Sequence, residues 1–228
     1  MPSSLVGTGP EELRGIRPGY AWLLPLLLLH LIVSGFPEQY PLVWILRPVV
    51  RAATFVMTLY VSRVRRSFFM AMVLVVLITA MATLYSGGRP GPFQTSFLGA
   101  WSIILLLPPA AIFRRMRKES QAGGVDLEVV LGALCAYLWI GGYFAFIYGA
   151  AARIFETPFF AQPGAENQLN YLYFSFVTLT CVGYGDIYPA FGPGRMLAVT
   201  EAVIGQLYLV SVVAIVVSAF GRRKAPPS

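Results

Sequence analysis

Thr178-Leu179-Thr180-Cys181-Val182-Gly183-Tyr184-Gly185-Asp186 is the stretch that decides how this chain folds. Gly183 and Gly185 stand at alternate positions. Glycine adopts φ > 0 without steric cost. A ribbon that alternates left- and right-handed torsions turns successive carbonyls to one side, and glycines at alternate positions permit it. The ribbon sits between long apolar segments at about 126–152 and 194–220. Between membrane spans, irregular backbone persists only where it lines a water-filled path or is buried in protein.

The composition agrees with a membrane setting. Apolar residues make up 57% of the 228 and charged ones 12%, and mean hydropathy is +0.69. Soluble domains are about 25% charged. No cleavable leader is expected: residues 1–19 hold Glu11, Glu12, Arg14 and Arg17 and lack an apolar core followed by a small-residue cleavage site. The net charge of +7 does not point to nucleic acid, because the cations cluster at the ends of apolar segments. Cys135 and Cys181 give no disulfide framework.

A spanning helix needs about 20 mainly apolar residues. Segments near 18–35, 42–62, 67–86, 96–113, 126–152 and 194–220 meet that need, the second despite its charges. The expected fold is therefore an all-α integral membrane protein with six transmembrane helices. A helix-like run from about Gln168 to Leu179, too short to span, re-enters between the fifth and sixth and leads into the ribbon. With the N-terminus in the cytosol, the inner side holds Arg14, Arg17, Arg63, Arg65, Arg66, Arg114, Arg115, Arg117, Lys118, Arg222, Arg223 and Lys224. The outer side holds only Arg89, Arg153 and Arg195. This bias sets the orientation, with both termini cytosolic in the cell membrane. The chain divides into a cytosolic segment at 1–19, a four-span front half at 20–118, a linker at 119–125, a pore module at 126–220 and a short cytosolic tail at 221–228.

From about 126 to 220 the chain resembles the pore module of tetrameric potassium channels. The ribbon looks like their selectivity filter. Tyr173-Phe174-Ser175-Phe176-Val177-Thr178-Leu179-Thr180 and Glu201-Ala202-Val203-Ile204-Gly205-Gln206-Leu207-Tyr208 look like the signature of small prokaryotic six-span ion channel proteins. The resemblance covers the second half well and the first half loosely. It implies passive potassium-selective conduction, with Thr180, Cys181, Val182, Gly183, Tyr184 and Gly185 forming the filter. Backbone carbonyls would replace the ion's water shell. Tyr173 and Phe174 match the family's aromatic pair, which would hold the Tyr184 ring; plain packing against lipid or the outer helix is the alternative. The filter occurs once, so the pore needs three further identical subunits, a homotetramer. Potassium is the permeant ion, the lipid bilayer is the medium, and no cofactor is expected.

Two positions depart from the family's pattern. Cys181 stands where threonine is usual. Thiol sulfur is a soft ligand and suits K⁺ poorly, so the innermost ion site should be weakened. Block by cytosolic Ag⁺ or Cd²⁺, relieved in Cys181→Thr, would reveal the thiol ring; simple volume filling is the alternative. Val177 stands where the simple bacterial channel has a glutamate paired with the filter aspartate. Asp186 lacks that partner, and Arg195 keeps a spacing at which it could balance the charge. Glu201, at membrane depth, is a functional candidate by default. It would either sit behind the filter in place of the missing glutamate or contact Gln206 or a threonine. Gly205 aligns with the family's gating hinge, although glycine in membrane helices also permits close packing. Ser211, Val213, Ala214 and Val217 are candidates to line the inner cavity.

The front half carries no voltage-sensor pattern. Its fourth span has no cation before Arg114, and Pro108-Pro109 is expected to interrupt it. Arg47 and Arg51 share a helix face; they are expected to snorkel outward, or the second helix begins near Pro48. His30 reads as a helix–helix hydrogen-bonding residue. Only Gly221 to Ser228 follow the last span, so no cytosolic sensing domain is expected. No nucleotide motif, metal cluster or nucleophile–base pair argues for an enzyme. A non-selective cation channel and a non-conducting regulatory subunit remain as rival readings.

Overall fold

The computed structural model describes residues 19–36, 40–64, 66–85, 106–114 and 127–223. The described residues form helices α1 (Tyr20–Ser34), α2 (Pro41–Val61), α3 (Arg66–Tyr85), α4 (106–114), α5 (Leu127–Ile154), α6 (Gln168–Leu179) and α7 (Gly192–Arg223). The N-terminal segment before Gly19, Arg65, Arg89, most of the expected fourth span, the 119–125 linker and the end of the tail lie outside the described residues.

Length separates the helices. At 1.5 Å per residue, α5 reaches about 42 Å, more than the roughly 30 Å of a bilayer's hydrocarbon core. Leu127–Ile154 and the stretch Gly192–Ala214 are both long and apolar enough to cross a membrane. The 12 residues of α6 give about 18 Å, too short to cross. Its limits agree with the run expected from sequence.

α5, α6 and α7 pack on one another, while α1 packs on both α2 and α5, and α2 on α3. The N-terminus of α1 meets that of α5: the Tyr20 amide donates to Glu128 Oε2 at 3.1 Å. Both helices therefore start from one end of the molecule. Tyr20, Leu23, Leu27, Val61, Ile112, Cys135 and Ala136 form the core there, with Tyr208 of α7 against it. At the opposite end of α5, Phe144, Tyr148 and Ala151 form a second core with Phe159, Phe160, Ala165 and Phe174.

One expectation about the front half is corrected. α2 does not begin near Pro48. It begins at Pro41, where a proline at the first helical positions loses no hydrogen bond that the helix would make, and it runs on through Pro48. Arg47 is thus a helical residue, and its Nη2 donates to the carbonyls of Phe36 at 2.7 Å and Ser34 at 3.3 Å. A cation there satisfies orphan carbonyls at the C-terminus of α1 and meets the negative end of its dipole. Pro108 and Pro109 are buried and lie in the first turn of α4, where a helix's amides have no intrahelical acceptor; the residues before 106, on which the expected interruption of the fourth span turns, lie outside the described residues.

Candidate functional site

The helix that delivers the ribbon is fixed at both ends. At its start, Asn167 Oδ1 accepts from the Asn170 amide at 2.8 Å, a side-chain N-cap. Asn170 Nδ2 donates to the Ala165 carbonyl at 2.9 Å. Glu166 accepts from the Phe160 amide at 2.7 Å and from the Tyr171 hydroxyl. At its end, the Thr180 amide and Oγ1 both return to the Phe176 carbonyl, at 3.0 and 2.6 Å.

The ribbon then alternates. φ is +56° at Cys181, +61° at Gly183 and +78° at Gly185, and it is not positive at Val182 or Tyr184 between them. The sequence places this freedom at the two glycines; the structure begins it one step earlier, at a cysteine. A left-handed non-glycine residue costs roughly 1–2 kcal/mol, so the local fold imposes the torsion. The amides of Val182 and Gly183 point back to the Val177 carbonyl, at 3.0 and 3.4 Å. Among the described residues, no group donates a hydrogen bond to the carbonyls of Thr180 to Gly185. A backbone carbonyl is a strong acceptor that calls for a partner. A row of them, set at the negative end of a helix dipole, suits a dehydrated cation.

Side chains brace the ribbon from α6. The Tyr184 and Tyr173 rings stack with centroids 6.3 Å apart and an interplanar angle of 3°. The Tyr173 hydroxyl donates to Asp186 Oδ2 at 2.8 Å, and this bond raises the phenol above its ordinary pKa. Asp186 thus has a partner that the sequence did not offer. Arg195, the expected counter-charge, instead donates from Nε to the Pro189 carbonyl at 3.3 Å. Phe174 faces away from Tyr184, with its ring centroid 5.2 Å from Tyr148, 6.0 Å from Phe159 and 5.5 Å from Phe160. Of the aromatic pair, Tyr173 touches the ribbon and Phe174 anchors α6 to α5. The segment after the ribbon is tied to the loop after α5 by an antiparallel bridge between Phe160 and Pro189. Two bonds hold it: Ala161 amide to Tyr188 carbonyl at 3.0 Å, and Ala190 amide to Phe159 carbonyl at 2.8 Å.

Behind the ribbon, α7 meets α6 closely. A Cβ at Gly205 would collide with the Leu179 carbonyl oxygen, which gives glycine a packing reason there. The same carbonyl accepts from the Tyr137 hydroxyl of α5 at 3.0 Å. Tyr137 stacks on Tyr208 of α7, with centroids 5.6 Å apart, and the Tyr208 hydroxyl donates to the Ala133 carbonyl at 2.6 Å. Glu201 is fully buried. Its partners are neither Gln206 nor a threonine: the Tyr148 hydroxyl lies on one carboxyl oxygen, and Ser175 Oγ lies 2.5 Å from the other.

The sequence reading missed Tyr137, Tyr148, Glu166 and Ser175. A polar group inside an apolar span was the available signal for Tyr137 and Tyr148, as it was for Glu201; Glu166 lies in the loop before α6, outside any span. Among the described residues no cluster of His, Cys, Asp and Glu could hold a metal ion; the oxygens on offer belong to the backbone.

Residues 133–222 match the family model described as ion channel. Comparison with curated proteins and with solved structures gives no match. The matched stretch takes in most of α5, all of α6, the ribbon and nearly all of α7. The second half is thus similar to ion channel domains, which lie in membranes and conduct rather than catalyse.

Proposed function

We propose that four copies of this chain surround a potassium-selective pore and that Thr180 to Gly185 of each copy form its filter. The observation that carries this reading is the torsional alternation at 181, 183 and 185, with a row of carbonyls that take no donor from the described residues. A single ribbon cannot encircle an ion, and four around one axis can. α7 supports assembly: Met196, Val199, Val203, Leu207 and Val210 are each more than half exposed, and their spacing makes one apolar stripe. Neighbouring copies and lipid would cover it.

Six spans remain the reading of the whole chain, with α6 re-entering from the outer face and both termini cytosolic in the cell membrane. The shared starting end of α1 and α5 suits that count, because the first and fifth spans of such a chain enter from the same side. Opening would not depend on voltage in the usual way, since the fourth span carries no cation before Arg114. Glu201 and Asp186 would support the filter separately, each through its own α6 partner.

Reversal potentials in bilayers reconstituted with the purified protein test the proposal. Shifts that follow the K⁺ gradient and ignore Na⁺ are expected. Shifts shared with Na⁺ would make the protein a non-selective cation channel. Absence of current together with a monomeric state would overturn the reading.

A further inference from the structure

Glu201, Tyr148, Ser175 and the Gly141 carbonyl meet in the buried space where α5, α6 and α7 join. Tyr148 Oη touches Glu201 Oε2, and Ser175 Oγ lies 2.5 Å from Glu201 Oε1. The same Ser175 Oγ lies 2.6 Å from the Gly141 carbonyl oxygen. These are three close oxygen–oxygen contacts, and each needs one proton between its atoms. Tyr148 and Ser175 bring one hydroxyl proton each, and the carbonyl brings none. With Glu201 ionised, two protons serve three contacts, and two acceptors are pressed together in a buried site. With a proton on Glu201 the count closes. Its O–H donates to Ser175 Oγ, Ser175 donates to the Gly141 carbonyl, and Tyr148 donates to the remaining carboxyl oxygen.

We infer that Glu201 is held as a neutral carboxylic acid and that in this form it is a positioning residue for the filter, locking α6 to α5 and α7. The groups facing it support this. α5 presents Tyr148 and the Gly141 carbonyl, with Tyr137 farther along and committed to the Leu179 carbonyl. α6 presents Ser175. On α7 itself the nearest described cation in sequence is Arg195, which is engaged by the Pro189 carbonyl. Among the described residues no cation contacts Glu201 to compensate a charge, and a buried, unpaired carboxylate is expensive. The consequence reaches the ribbon because Ser175 lies on the helix whose last carbonyl, Leu179, precedes Thr180. An ionised Glu201 would break the proton chain and release α6 from α5.

Infrared difference spectroscopy on the full-length protein in lipid, at neutral pH, tests the protonation directly. Subtracting Glu201→Gln from wild type should leave a protonated-carboxyl C=O band that shifts in D₂O. Finding only carboxylate bands would overturn the inference. Tyr148→Phe keeps the acid and removes the donor to its C=O, so the band should move to higher wavenumber; an unmoved band would overturn the assignment even if the glutamine variant failed to assemble. The positioning role rests on the channel reading and has its own measurement. Wild-type K⁺ current should fall as the bath is made alkaline, whereas Glu201→Gln, a neutral isostere with its own donor, should conduct and stay flat with pH. Parallel profiles would remove the positioning role. A wild type that shows the band but passes no K⁺ would instead sink the channel proposal.

Discussion

The pore half and the front half solve different problems. From α5 to α7, polar side chains reach individual atoms of other segments: Tyr137 the Leu179 carbonyl, Tyr173 the Asp186 carboxylate, Ser175 the Gly141 carbonyl. In α1 to α3, hydroxyls mostly bond their own helix, as Thr54 and Thr58 do to carbonyls four residues back. Cross-helix bonds there are few among the described residues, such as Trp139 Nε1 of α5 to Thr58 Oγ1 at 3.0 Å. The front half presents broad apolar faces, including exposed Leu42, Leu74 and Met81, which suit lipid. One region fixes the positions of carbonyl oxygens; the other only needs to stay helical and packed. Substitutions should therefore change ion selection in the first and assembly or stability in the second.

The sharpest way to break that contrast is at the ribbon. Gly183→Ala or Gly185→Ala puts a Cβ on a left-handed torsion, at roughly 1–2 kcal/mol per residue, and the four copies of the proposed pore multiply the cost. Loss of K⁺-selective current is the expected outcome, measured as reversal potential under K⁺ and Na⁺ gradients. An alanine variant that kept full selectivity would show that the alternation at 181, 183 and 185 does not set the carbonyls.

How much was readable beforehand divides along the same line. The limits of α6 and the two glycine torsions were legible, because glycine spacing and a short helix-like run leave few alternatives. Cys181 was not read as left-handed, since nothing in a cysteine side chain signals φ > 0. Tyr173 as the partner of Asp186 was hidden by the expectation of a charge; a phenol satisfies a carboxylate equally well and leaves no charge pattern in the sequence. The partners of Glu201 were hidden for a geometric reason: they lie 53 and 26 residues away on other helices, and no local rule reaches that far. In the front half, a proline was given too much weight. Pro48 was weighed as a possible start of the second helix, but α2 runs on through it.

Gly205→Ala tests whether packing or hinging explains that glycine. Its Cβ meets a backbone oxygen that cannot move aside cheaply. Overpacking of this kind costs about 1–3 kcal/mol per copy, so the melting temperature of the assembled protein should fall. A changed open probability with unchanged melting would favour the hinge. Tyr137→Phe is milder. It removes the hydroxyl from the Leu179 carbonyl and keeps the ring stacked on Tyr208, at about 0.5–1.5 kcal/mol. Single-channel recordings should show altered open times at unchanged selectivity, because Leu179 precedes the ribbon without belonging to it. A shift in reversal potential would place Tyr137 among the residues that set selection.

The smallest effect is expected where the halves join. Glu128 Oε2 accepts from the Tyr20 amide at 3.1 Å, and Gly19, the N-cap of α1, has no side chain to do this. A Cβ on Gly19 would stand 2.5 Å from a Glu128 oxygen, so the carboxylate closes the start of α1 from another helix. Glu128→Ala should cost what an N-cap is worth, about 0.5–2 kcal/mol, and Glu128→Gln less, because an amide oxygen still accepts. Both should appear in thermal melting and leave reversal potentials unmoved. Tyr208 makes this a demanding test: it touches the Tyr20 core on one side and stacks on Tyr137 on the other. If releasing Tyr20 altered ion selection, the front helices would be part of the filter's support through Tyr208 and Tyr137, and the division between a positioned half and a merely packed half would have to be redrawn at α1.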